Sequence, residues 1–216
     1  MHHLILASQS PRRSELLKKA GISFQIFPVK ISENLRKDLN LDDQIMELAE
    51  RKALASLATF KPLKKQRYLF LSADTLVILG QEILGKPENK NQAVDFLSNL
   101  SGQIHQVKTA VCLAEGLVED DQSPKQTESM NLKVGKVVRF IETTKIHFRL
   151  ISRQEIEDYV DTGDPMDKAG AYGIQGEARE FVNRIEGDLD NVIGLPIKKT
   201  LLSLQKEFQY SLGNLK

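Results

Sequence analysis

The chain opens on an apolar run, Leu4–Ala7, followed at once by hydroxyls, a proline and two arginines. That pattern predicts a short strand and then a helix with Ser10 as N-cap and Pro11 at its first position. The helix is expected to reach about Ala20, with Gly21 just past its end. Alternation over Ser23–Pro28 predicts a second strand, and the polar stretch Val29–Asn40 a loop. Asp42 and Asp43 suit the positive end of a helix whose apolar face is Ile45, Leu48, Ala49 and Ala53. Tyr68–Ala73 reads as a buried strand ending at Asp74-Thr75, followed by a hairpin turning near Gly80. Asn89 caps a short helix with Ala93, Phe96, Leu97 and Leu100 on one face. Val107–Ala114 and Val137–Leu150 are strand regions, and Ser152-Arg153-Gln154-Glu155 fits a capping box that opens a helix to about Val160. Glycine-rich loops, a strand near Phe181–Ile185 and a final helix from about Pro196 to Phe208 complete the pattern. Strands and helices alternate at both ends with antiparallel hairpins between, so the expected class is α/β with a mixed sheet.

Length and charge narrow the field. A chain of 216 residues fits one large domain or two small lobes and can bury a substantial core. With 30 basic and 29 acidic residues the net charge is +1, so bulk electrostatics gives no reason to expect nucleic-acid binding and any basic site must be local. Cys112 is the one cysteine and lies in the apolar run Ala110–Ala114, where it reads as buried filler, not as a nucleophile. No apolar run approaches the roughly 20 residues of a membrane span, and the N-terminus lacks a basic region followed by a signal-type apolar stretch. The expectation is a cytoplasmic protein with no membrane partner. Residues 119–133 are polar and read as a mobile hairpin connection.

Candidate chemistry concentrates in two segments. Asp167-Lys168-Ala169-Gly170-Ala171-Tyr172-Gly173-Ile174-Gln175-Gly176 has three glycines and two alanines, so little bulk to pack, together with a charge pair, a ring and an amide. Glycine lets backbone approach a ligand closely, and the stretch reads as a binding loop. The N-terminal turn, Ser8-Gln9-Ser10-Pro11-Arg12-Arg13, places hydroxyls and two guanidinium groups at a helix start, where free N–H groups and the helix dipole favour anions. Asp74-Thr75, taken as a strand end, is where ligands gather in α/β sheets, and a carboxylate there can hold a metal or act as a base.

Other motifs fall away. Gly80–Lys86 fits the spacing G-x-x-x-x-G-K, but Pro87 stands where that phosphate loop needs Ser or Thr, and Ile83 and Leu84 are apolar. A hairpin whose return strand delivers Lys86 is the better reading, with Pro87 stopping the strand. Asp161 and Asp164, spaced by three with Asp167, lack the glycine and terminal Glu of an EF-hand and read as solvated loop carboxylates. The four histidines show no zinc spacing, and no G-x-S-x-G elbow is present.

Taken in order, Leu6-Ala7-Ser8-x-Ser10-Pro11-Arg12-Arg13, Glu33, Lys52, Asp74-Thr75, Gly85-Lys86-Pro87, the Asp167–Gly176 loop and Asn191-Val192-x-Gly194-Leu195-Pro196 resemble the Maf family of nucleoside triphosphate pyrophosphatases. The resemblance spans almost the whole chain. It implies an elongated mixed β-sheet with flanking helices in two lobes around a central cleft (Maf/ITPase-like), one such domain over residues 1–216, and a flexible insertion at 119–133. It also implies metal-dependent cleavage of a nucleotide to monophosphate and pyrophosphate. Asp-Thr followed by Gly-Ile-Gln-Gly marks the family's dTTP/UTP type, with modified pyrimidine nucleotides as further candidate substrates. The 7-methyl-GTP type usually differs at those two places and is the nearest alternative. A nucleotide-binding regulator of septum formation with little turnover is the alternative of a different class.

Carried over residue by residue, the resemblance makes Asp74 the catalytic proton acceptor and Arg12, Thr75 and Gln175 the substrate-selecting positions. Ser8, Arg13, Lys52, Lys86 and Lys168 would bind phosphate, and Glu33 with Asp74 would hold the metal. Magnesium or manganese suits such oxygen ligands. The expected partner is a nucleoside triphosphate, with a homodimer as a further expectation. The chain departs from the family pattern at Ser32-Glu33, where Asp-Glu is frequent, and at Gly187-Asp188-Leu189-Asp190, which replaces a more usual Gly-Ser-Tyr.

Overall fold

Chain order in the computed structural model, which describes residues 2–62, 64, 66–118 and 130–211, begins with β1 (His2–Leu6) and α1 (Pro11–Lys19). Leu4, Ile5 and Leu6 are buried because β1 is flanked by two parallel neighbours, β2 (Gln25–Ile26) and β3 (Arg67–Leu79). A run with no polar alternation is what such doubly covered strands require. α1 ends as its glycine predicts. The Gly21 N–H donates to the Lys18 carbonyl and the Ile22 N–H to the Leu17 carbonyl, and Gly21 has φ 69°, the paired bonds of a Schellman motif. Its start differs from expectation. Ser10 holds the N-cap position and Pro11 follows, but the Ser10 side chain makes no capping bond. The Ser8 hydroxyl organises this turn instead, accepting the Ser10 N–H.

The second strand is shorter than the alternation over Ser23–Pro28 predicts, because only Gln25 and Ile26 find register with β1 and both are exposed. α2 (Leu41–Thr59) is capped by Asn40, whose side chain accepts the Asp43 N–H, and Ile45, Leu48, Ala49 and Ala53 are all buried. The main correction concerns β3. It does not end at Asp74-Thr75 but runs through them for thirteen residues in all. Flanking β-branched and apolar residues continue on the far side, and their packing overrides the low strand preference of Asp. Between its buried stretches Tyr68–Ala73 and Val77–Ile78, burial lapses at Asp74, Thr75 and Leu76.

β3 turns into β4 (Glu82–Leu84) with Val77 opposite Leu84 and Leu79 opposite Glu82. Gly80, first of the two turn residues, has φ 61°, as a II′ hairpin needs, so the Gly80–Lys86 segment is the expected hairpin. α3 (Lys90–Leu100) is capped by Asn89. β5 (Ile104–Val118) extends beyond the expected Val107–Ala114 at both ends, whereas β6 (Leu132–Phe148) begins earlier than the expected Val137–Leu150 and stops before Arg149 and Leu150. Of the insertion expected at 119–133, residues 119–129 lie outside the described residues, while Leu132 and Lys133 already belong to β6. α4 (Arg153–Asp161) carries the complete capping box between Ser152 and Glu155. β7 (Val182–Glu186), the short α5 (Leu189–Ile193) and α6 (Ile197–Phe208) close the chain. The sheet has seven strands in the order β2-β1-β3-β5-β6-β7, with β4 on β3. Parallel pairs at β1 and antiparallel pairs β3/β4 and β6/β7 make it mixed, as expected.

The chain divides into two compact units, Met1–Asp74 with Ala110–Ile141 and Ile197–Lys216, and Thr75–Thr109 with Glu142–Pro196. In the first, Leu17, Ile45, Leu57 and Leu69–Leu71 are fully buried, and Phe60 stacks edge-on against Phe27 and Phe70. Cys112 is buried here, its thiol pushed up to about 12 chiefly by burial, which fits filler and not a nucleophile. In the second, Leu84, Ala93, Leu97, Leu100, Ile146 and Phe148 form the centre of one apolar cluster. Among the described residues no helix is long and apolar enough to cross a membrane.

Candidate functional site

In the first unit, three stretches bring opposite charges together. α2 supplies Lys52, whose Nζ lies 2.6 Å from Asp74 Oδ1 on β3 and 2.8 Å from Glu33 Oε1 in the loop before α2. Lys52 and Asp74 are nearly covered, whereas Glu33 is exposed. Glu33 nevertheless sits in a fixed backbone. The Arg51 guanidinium donates to the carbonyls of Ser32 and Asn34, the residues on either side of it, at 2.7 Å each. Glu47, one turn back on α2, pairs with Arg51 at 2.8 Å. A planar fork with several donors can hold two carbonyls at once, which an ammonium does less well. Sequence reading missed Arg51. The one available signal was its adjacency to Lys52 on a helix facing a polar loop.

The N-terminal turn adds cations to the same unit. Ser8 is buried and accepts a hydrogen bond from Arg13 at 3.1 Å. Burial lowers the Arg13 guanidinium, the charges of Asp74 and Glu33 support it, and Arg12 opposes it. Arg13 therefore lies within electrostatic reach of both carboxylates. Ser8, Arg13, Glu33, Lys52 and Asp74, drawn from four separate places in the sequence, belong to one charged cluster, with Arg12 beside it.

The donor set suits a hard divalent ion. Magnesium is held by one or two carboxylates, with waters and substrate phosphates completing an octahedron. Glu33 and Asp74 both pair with Lys52, so the two carboxylates converge on one positive charge. Among the described residues no group of three or more His, Cys, Asp or Glu side chains could hold an ion alone. An ion held by Glu33 and Asp74 would therefore need further oxygen ligands from water or a bound molecule.

In the second unit, Thr75 Oγ1 lies 2.9 Å from Thr109 Oγ1, which donates to the Asn191 carbonyl. The Asn191 side chain, fully buried, donates to the Val107 carbonyl and to Thr144 Oγ1. A polar chain thus links the segment after Asp74 to α5. Lys86 is exposed just after β4, and the Gly85 carbonyl beside it accepts the Gly170 N–H at 3.0 Å. That bond docks the Asp167–Gly176 loop on the hairpin. The docking is close, because a Cβ on Gly170 would meet Val77 Cγ1 at 2.8 Å, and Gly170 has φ 68°. Ala171 follows at φ 58°, an uncommon left-handed conformation for a side chain.

Within that loop the structure treats the candidates differently. Gln175 is exposed while its neighbour Ile174 is buried. Tyr172 is buried and bonds His105 Nε2 through its hydroxyl at 2.7 Å. The Lys168 ammonium points back into its own loop, at 2.5 Å from the Asp164 carbonyl, 2.9 Å from Asp164 Oδ1 and 2.7 Å from Asp167 Oδ1. Asp164 is therefore not the solvated carboxylate expected. It also accepts the Tyr159 hydroxyl at 2.7 Å. Asp161 does stay exposed, paired with Lys90.

A family model described as Maf-like protein matches residues 3–207. The dTTP/UTP pyrophosphatase of Bdellovibrio bacteriovorus is 48% identical over 202 residues, 93% of this chain and 97% of the relative. Those of Desulforamulus reducens and Bacillus pumilus, with the same description, are 41% and 39% identical, covering 92% and 95% of this chain and 93% and 96% of their own lengths. Among solved structures, the Staphylococcus aureus Ham1 protein aligns with 68% of this chain and 72% of its own at 12% identity, with a TM-score of 0.36.

Proposed function

This chain belongs to the Maf family, and on that premise we propose that it hydrolyses dTTP and UTP to the nucleoside monophosphate and pyrophosphate with a divalent metal. The substrate follows from relatives of that description, alike in length and 39–48% identical. The observation that carries the chemistry is Lys52 joined to both Glu33 and Asp74. A triphosphate brings about four negative charges, so a site for it needs cations, and a site for water attack at phosphorus needs a carboxylate close by.

Magnesium or manganese held by Glu33 and Asp74 would neutralise phosphate charge when bound. The chain's own residues do the rest. Arg13, held by Ser8, offers a planar fork to phosphate oxygens. When Lys52 turns from Asp74 to a phosphate oxygen it frees Asp74 Oδ1 to orient a water and take its proton. Lys52, with Lys86, then stabilises charge on the departing pyrophosphate. Gln175, exposed between the buried Ile174 and Gly176, presents donors and an acceptor to the N3–H and carbonyls of thymine or uracil. Arg12 and Thr75 share the selection of substrate, and the Thr75 hydroxyl acts while bonded to Thr109.

The test is a panel of canonical and modified nucleoside triphosphates with magnesium, read as pyrophosphate release. Turnover of dTTP and UTP above the purine nucleotides is expected. Preference for 7-methyl-GTP, or binding with no release from any nucleotide, rejects the proposal.

A further inference from the structure

Gln175 is exposed, yet the backbone before it is hydrogen-bonded to a cluster whose Asp164 also lies close to the backbone after it. On one side the Gly173 N–H donates to the Tyr159 hydroxyl at 3.2 Å, and that hydroxyl donates to Asp164 Oδ2. A Cβ on Gly173 would lie 2.7 Å from Lys168 Cε. On the other side, a Cβ on Gly176 would lie 3.4 Å from Asp164 Oδ2. The Gly176 N–H closes back on the Gly173 carbonyl at 3.2 Å. Between these two points Ile174 is buried, which adds a third anchor next to Gln175.

The cluster is complete in its hydrogen bonding. An ammonium has three donors. Those of Lys168 meet three acceptors, the Asp164 carbonyl, Asp164 Oδ1 and Asp167 Oδ1, and the Lys168 side chain is largely covered. Burial opposes charge on Asp164, but the Tyr159 hydroxyl and the Lys168 ammonium outweigh it and hold the carboxyl below its ordinary range. Ionised, Asp164 is acceptor-only and can serve Tyr159 and Lys168 together. While this arrangement stands, Lys168 has no donor left for a phosphate oxygen.

We propose that Asp164, acting with Tyr159 and Lys168, is a positioning residue that sets the orientation of Gln175 and through it the choice of base. The proposal rests on the reading of Gln175 as the base-selecting residue.

Asp164→Asn removes the charge and Tyr159→Phe removes the hydroxyl while keeping the ring that packs on Phe181. Each is compared alone and combined with Gln175→Ala, with kcat and KM measured for dTTP and GTP. The expected result is a fall of roughly three- to thirtyfold in the dTTP-over-GTP ratio of kcat/KM for each single variant, carried mainly by KM, with no further fall once Gln175 is gone. Amide exchange at Gly173 should quicken in Tyr159→Phe, a readout independent of turnover. If Gln175→Ala lowers the ratio but Asp164→Asn and Tyr159→Phe leave it unchanged, or if their effect persists in full without Gln175, the positioning role is overturned alone. Unchanged exchange at Gly173 in Tyr159→Phe overturns it as well. An unchanged ratio in Gln175→Ala overturns both this proposal and the base-selecting reading beneath it.

Discussion

Lys52 Nζ lies 2.6 Å from Asp74 Oδ1, a contact between two largely covered side chains that are 22 residues apart in sequence. A carboxylate so placed is partnered before any substrate arrives. Removing its charge should therefore be felt twice, in the reaction and in the partner left behind. Asp74→Asn is expected to lower pyrophosphate release from dTTP by at least about 10²-fold, the usual contribution of a positioned acid–base group. Circular dichroism should show the fold retained. Activity within about threefold of wild type would remove Asp74 from the chemistry.

The Arg51 fork on the Ser32 and Asn34 carbonyls makes a separate prediction about the metal. Arg51→Lys keeps the charge but cannot hold both carbonyls in one plane. Glu33→Gln removes the proposed ligand itself. Both should raise the magnesium concentration needed for half-maximal activity, Glu33→Gln more strongly, with smaller change in the rate at saturating metal. A titration of activity against magnesium separates the two effects, and an unchanged midpoint in Glu33→Gln would show that Glu33 does not hold the ion.

Phosphate and base should be separable by mutation. Arg13→Ala and Lys86→Ala are expected to weaken binding of dTTP, measured by calorimetry with calcium in place of magnesium, while leaving binding of thymidine unchanged. Equal loss for nucleoside and triphosphate would contradict a role confined to the phosphate chain. Gln175→Ala should instead lower kcat/KM for dTTP and UTP by roughly 10- to 100-fold, the cost of unpairing a polar base edge at about 1–3 kcal/mol. Thr75→Ala should act in the same direction more weakly, because its hydroxyl is already engaged with Thr109.

His105 gives a stability prediction. Burial, helped by His147, lowers its pKa from 6.5 to about 4, and its Nε2 bonds the Tyr172 hydroxyl. On acidification the unfolded chain takes up this proton before the folded one does. The stabilisation from keeping His105 neutral is complete above pH 6.5 and is lost as pH falls toward 4, by up to about 3 kcal/mol. Urea unfolding at several pH values should show that slope. His105→Gln, which can still bond Tyr172, should flatten it.

Much of the fold follows from local signals. Gly21 ending α1, Asn89 capping α3 and the Ser152–Glu155 box were legible because caps and turns depend on residues a few positions apart. The apolar runs of β1 and β3 and the face of α2 were legible for the same reason, since burial imposes a short period on the sequence. The motifs also identified the Maf resemblance, because residues at a shared site leave a pattern even when they are far apart in the chain.

Tertiary structure decided the rest. Asp74 lies inside a long strand and not at its end, because pairing and packing of the residues beyond it outweigh the preference of one polar pair. Nothing local to Arg51 shows that it grips the backbone around Glu33, and although Tyr159 and Lys168 stand close to Asp164 in sequence, only the folded loop turns both onto its carboxylate. Lys168 looks like a phosphate ligand in sequence, yet its three donors face acceptors in its own loop. A hydrogen bond is a relation between two groups in space. The sequence determines which groups are available, and the folded chain alone sets which of them meet.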